Sequence, residues 1–139
     1  YTPWEVSMNG RNKAARAFVV LGCLVLFVSA VLHCIGGYKE GFPALNASNL
    51  DPRLQVGFRV VFLSLAWHWV ITAVVALLAG FTQTRLRQVL VLFCGLAVLL
   101  EAAVGAIMIG FFIGNEMMGT GALLLVCGGL LFDQSGVQT

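Results

Sequence analysis

Four long apolar runs, at residues 17–36, 52–80, 88–113 and 117–132, take up most of the chain. At ~1.5 Å of helical rise per residue, the ~20 residues of the first run cover the ~30 Å of a hydrocarbon core. Inside lipid no water satisfies a backbone N–H or C=O, so a continuous apolar run must close its hydrogen bonds within itself as a helix. The reading is therefore all-α: a polytopic integral membrane protein, four transmembrane helices in a small bundle, one membrane domain over residues 1–139. No β-structure is expected. The fourth run is short, and it needs upright placement or a locally thinned bilayer.

Charge agrees with that reading. Hydrophobic residues make up 60% of the chain and charged ones 10%, with a mean hydropathy of +0.95, more apolar than a soluble domain of this size. Apart from Glu101, the charged side chains sit in tails, loops or segment ends, as they do where lipid excludes charge. No basic tract or basic face is present, so nucleic acid is not expected as a partner; lipids and other membrane-protein subunits are. Cys23, Cys34, Cys94 and Cys127 include no CxxC pair, and thiols among apolar side chains behave as small hydrophobes, so neither a disulfide framework nor a metal site is expected.

The connections set the topology. Residues 1–16 read as a cationic lead-in with Trp4 as an interfacial aromatic, and Gly36-Gly37 as the break that ends the first span. The chain begins at Tyr1, which points to a start after processing or trimming, and the first span reads as a retained anchor, being long for a signal sequence. Residues 38–51 form a polar loop, and its Asn46-Ala47-Ser48 sequon lies too close to two spans to favour modification. Asp51-Pro52 predicts an N-cap and first residue for the second helix, whose first turn and a half is expected outside the lipid. Residues 81–88 and Gly114-Asn115-Glu116 read as turns, and residues 133–139 as a tail. With four spans, one side collects the five cations Arg11, Lys13, Arg16, Arg85 and Arg87, and the other the three of Lys39, Arg53 and Arg59. The positive-inside rule then puts both termini on the cytoplasmic, matrix or stromal side of a bacterial inner membrane or an organelle inner or thylakoid membrane.

Chemistry concentrates in the second and third spans. Trp67-His68-Trp69 places a titratable ring in mid-span, and counting residues puts Glu101 at a similar depth. A His68–Glu101 pair would satisfy both groups, and ligand binding there would involve Trp67, His68, Trp69 and Glu101. The ligands considered are a quinone, a lipid or a chlorophyll-type pigment. His33 lies ~10 Å from the level of His68, too far for the two to bracket one iron, which argues against bis-histidine haem. Polar or small residues form stripes at helical spacing in the first span (Gly22, Ser29, His33, Gly36), the second (Ser64, His68, Thr72) and the third (Cys94, Glu101, Gly105). Ala102, Ala106, Gly110 and Gly114 form a further stripe ending in GxxxG, expected to pack helix against helix.

The run Glu101-Ala-Ala-Val-Gly105-Ala-Ile-Met108-Ile-Gly110-Phe111 resembles, over eleven residues, a helix of light-harvesting antenna proteins. That helix pairs a ligand glutamate with an arginine. Here Ala106 stands in the arginine's place, so the resemblance does not carry the pigment function to this chain. No nucleophile-base set, HExxH or phosphate-cradling loop is present, and an enzyme is not expected. Apolar surface with little chemistry points first to a non-catalytic accessory subunit packed against a larger, bioenergetic membrane complex of electron transport. The alternative is a ligand-binding or redox protein centred on His68 and Glu101. A small transporter or proton conductor ranks below both, because no inverted repeat is visible.

Overall fold

Asp51 starts a helix as its sequence context predicts. In the computed structural model its side chain accepts from the Arg53 N–H at 2.7 Å, with Pro52 as the first helical residue. That cap satisfies one orphan donor and is worth about 1 kcal/mol. The structure describes residues 3–82, 84 and 86–132, with the backbone alone for 3–9. The Trp4 side chain, Arg85 and the 133–139 tail lie outside the described residues.

The elements are α1 (Pro3–Gly36), a π-helical turn (Gly37–Gly41), a short α2 (Phe42–Asn46), α3 (Pro52–Phe81), α4 (Leu86–Ile109) and α5 (Ile113–Leu131). Among the described residues no strand occurs. The four long helices are long and apolar enough to cross a membrane. In cross-section α1 neighbours α3 and α5, and α4 neighbours the same two, so α1 and α4 face each other across a diagonal.

Three boundaries differ from expectation. The cationic lead-in is part of α1 from Pro3 on, and among the described side chains its inner stripe begins at the fully buried Ala15. Gly36-Gly37 does not end the helical course, which widens into the π turn, with the Phe42 N–H bonded to the Gly37 carbonyl, and runs on to Asn46. Gly37 allows this because a side chain there would collide with the Phe62 ring of α3. The third correction is the turn between the last two spans. It falls at Gly110–Phe112, because Gly110 takes φ +96°, a region L side chains rarely adopt. Asn115 is helical, and its Nδ2 donates back to the Gly110 carbonyl at 3.1 Å. Gly110 and Gly114 therefore do not belong to one helix. Of the predicted packing stripe, Ala102 is buried near Gly119, Ala106 borders an outer groove, and the GxxxG pair spans the turn.

The closest helix approaches come from α5 instead. A Cβ on Gly22 of α1 would lie 2.9 Å from the Gly121 carbonyl oxygen, and one on Gly95 of α4 would lie 2.9 Å from the Val126 backbone nitrogen. Backbones this close gain dispersion contacts, and α5, the shortest of the four long helices, touches both α1 and α4. The buried stripe is built of small and medium side chains, including Ala15, Val19, Leu26, Ala73, Ala76 and Leu125. Large apolar side chains such as Leu24, Phe27, Phe93 and Ile107 cover the outside, a surface suited to contact with lipid.

The two ends of the bundle differ in chemistry. At one, the buried Arg87 lays its guanidinium 4.5 Å from the Phe132 ring centroid and bonds Asn12, while Arg16 stands over Phe81. The other end carries the π turn, the start of α3 and the α4–α5 turn. There Arg59 bonds Asn46 and stands over Phe42.

Candidate functional site

Glu101 sits on α4, eight residues before the helix ends at Ile109, or about 12 Å of axial rise from the α4–α5 turn. A carboxylate at that depth needs donors, and α3 supplies two in succession. His68 Nε2 lies 3.1 Å from Glu101 Oε1, and Trp69 Nε1 donates to Oε2 at 2.9 Å. The Thr72 hydroxyl stands 3.4 Å from the same His68 nitrogen. The two groups expected at one level therefore meet.

Their orientation is less symmetrical than the stripes suggest. Successive residues on a helix are turned by about 100°, so only one of the Trp67-His68-Trp69 triplet can point along the bundle axis. That residue is Trp69, which is buried. His68 reaches Glu101 from the flank with its side chain 46% exposed, and Trp67 turns outward at 67% exposure, away from the carboxylate. Ser64 likewise faces out and bonds the Val61 carbonyl of its own helix. The expected site is thus divided: His68, Trp69 and Glu101 converge, and Trp67 does not join them.

A cavity of about 590 Å³ opens in the bundle on the inner side of Glu101. That volume falls among small-molecule sites. Trp69, Phe62, Leu65 and Phe112 form its apolar walls, Met117 and Met118 close one side, and Ser29, His33, Asn115 and Glu101 bring polar atoms into it. Glu40, on the π turn, also lines it. All four long helices contribute.

His33 and Asn115 are the site residues that sequence reasoning passed over. The His33 ring stacks on Phe62 with centroids 3.7 Å apart, packs edge-on to Trp69 at 4.9 Å, and donates from Nε2 to the Phe62 carbonyl at 3.1 Å. Phe62 is six residues before His68, about 9 Å along α3, so the offset expected between the two imidazoles is present. The signal for His33 was its place in the first polar stripe. Asn115 was read as part of a turn, and only the early end of α4 brings it against Gly105, where a Cβ would lie 2.9 Å from Asn115 Oδ1.

Cys23 Sγ donates to the Ala73 carbonyl at 3.1 Å, joining α1 to α3. Among the described residues no group of three or more His, Cys, Asp or Glu side chains converges as a metal site. Comparison with protein-family models, curated proteins and solved structures gives no match.

Proposed function

We propose that this protein is a membrane-embedded ligand-binding protein that holds an amphipathic small molecule in its bundle cavity, with Glu101 as the anchoring group. The observation that carries this reading is the continuity between the carboxylate and the cavity. His68 and Trp69 position Glu101, and the space beside it is large enough for a head group and the beginning of a hydrocarbon chain. A pair with only a structural role gains nothing from bordering such a space.

The charge asymmetry of the connections supports a cavity on the non-cytoplasmic side, since Glu40, Lys39 and the α4–α5 turn lie at the end with fewer cations. A ligand would then enter from the outer aqueous face or the outer leaflet. The accessory-subunit reading rests on an outward groove between α4 and α5, bordered by Ala103, Ala106, Gly119 and Leu123. Acyl chains fill such a groove as well as a partner helix does, so that reading ranks second.

The test is to reconstitute the protein in lipid nanodiscs and quantify small molecules released on denaturation by mass spectrometry. One molecular class enriched to near-stoichiometric amounts over empty discs is expected. It should be lost in Ser29→Phe, which fills the cavity wall, while the circular dichroism of the helices stays unchanged. An extract indistinguishable from empty discs, together with no thermal stabilisation by any member of an amphiphile panel, would sink the proposal.

A further inference from the structure

Hydrogen-bond accounting inside the cavity limits what can occupy it. The Ser29 hydroxyl donates to the Val25 carbonyl at 2.8 Å, and His33 Nε2 to the Phe62 carbonyl at 3.1 Å. Asn115 Nδ2 donates to the Gly110 carbonyl at 3.1 Å, and the Trp69 indole donates to Glu101 at 2.9 Å. With these donors engaged inside the protein, one further N–H of Asn115 Nδ2 remains, and the other side-chain atoms still offering capacity are acceptors. They are the remaining lone pairs of Glu101, the Nδ1 of a neutral His33, Asn115 Oδ1 and the Glu40 carboxylate. Among the described lining residues two are acidic, Glu40 and Glu101, and none is Lys or Arg.

We infer that the occupant is a lipophilic amine, a molecule whose protonated nitrogen donates to Glu101 while its apolar part lies along Phe62, Phe112 and the methionines. The inference rests on the ligand-binding reading above. His68 and Trp69 each occupy one Glu101 oxygen and leave further lone pairs on both, and an ammonium donates to these from the cavity side while bringing a formal opposite charge beside apolar walls. Trp69 and Phe62 offer aromatic surface for cation–π contact, and Met117 and Met118 offer adaptable, polarizable surface. A quinone leaves the acceptors of Glu101 and Glu40 unmet, since its carbonyl oxygens only accept and could use only the donors at the start of α5 and on Asn115. An anionic head group would meet two acidic side chains. The uncapped start of α5 at Ile113 and Gly114 also borders the cavity, and its backbone N–H groups suit a hydroxyl or ether elsewhere on the same molecule.

The test compares three probes in nanodiscs by native mass spectrometry and thermal shift: decylamine as its ammonium, decylubiquinone, and decyl sulfate. Saturable binding of the ammonium alone is expected, weakened roughly tenfold to a hundredfold in Glu101→Gln, as loss of a charge-assisted hydrogen bond predicts. The comparison among probes on the unaltered protein stands whether or not that variant folds. Saturable binding of decylubiquinone or decyl sulfate in preference to the ammonium overturns the amine assignment and leaves the ligand-binding reading intact. Saturable binding of none of the three, with no stoichiometric small molecule in the wild-type extract, overturns both.

Discussion

At the scale of single residues, Trp67 and Trp69 form a natural control pair. Both are tryptophans of α3, two positions apart, yet one is 67% exposed and the other 7%. Trp69 also holds a bond to Glu101. Replacing it with Phe removes the donor and leaves a gap where the indole packed, so Trp69→Phe should destabilise the bundle by about 1–3 kcal/mol. Trp67→Phe removes outward apolar surface from a lipid-like environment and should change stability by less than about 0.5 kcal/mol. Equilibrium unfolding in mixed micelles, followed by far-ultraviolet circular dichroism, measures both. Equal effects from the two substitutions would contradict the inward rotation of Trp69.

The helices themselves are held by backbone proximity more than by interlocking large side chains. Gly22 and Gly121 show the mechanism, because a Cβ on Gly22 meets a carbonyl oxygen of α5 that cannot move without its helix. Gly22→Ala is expected to cost about 1–3 kcal/mol, the range for overpacking a close contact. Gly57 gives the opposite result. It lies within α3 with nothing within 4 Å of its would-be Cβ, so Gly57→Ala should stabilise by about 0.5–1 kcal/mol through helix propensity. Thermal melts of the two variants against the parent protein decide the matter. A loss for Gly57→Ala as large as that for Gly22→Ala would mean that propensity and packing are not separable here.

For the whole molecule, the sequential neighbours α1, α3, α4 and α5 traverse the bundle in alternating directions, so α1's first turns and the α3–α4 connection share one end. In a membrane that arrangement requires Lys13 and Thr84 to be on one side and Ser48 on the other. On a background with the four cysteines replaced, Lys13→Cys and Thr84→Cys should react with an impermeant thiol reagent from the same face of oriented vesicles. Ser48→Cys should react from the opposite face. Labelling of Lys13→Cys and Thr84→Cys from opposite faces would remove one span and, with it, the four-helix arrangement on which the cavity depends.

The sequence by itself determined the number of long helices, their approximate places and the start of α3. These follow from local physics: a long apolar run must satisfy its own backbone, and Asp51-Pro52 offers a cap and a residue without an N–H. The depth match of His68 and Glu101 was also legible, because axial rise is constant along a helix. Tertiary structure alone decided how each helix is rotated about its axis. In a soluble protein the polar face would have marked the outside, but here outward Leu24 and Phe93 and inward Leu26 and Val98 are equally apolar, so composition could not tell Trp69 from Trp67. It also decided that Gly37 continues a helical path under Phe62 while Gly110 ends one, since a glycine permits either and its neighbours choose. The cavity is the product of those choices. His33, Trp69, Glu101 and Asn115 come from four different helices, and no local rule in the chain brings them together.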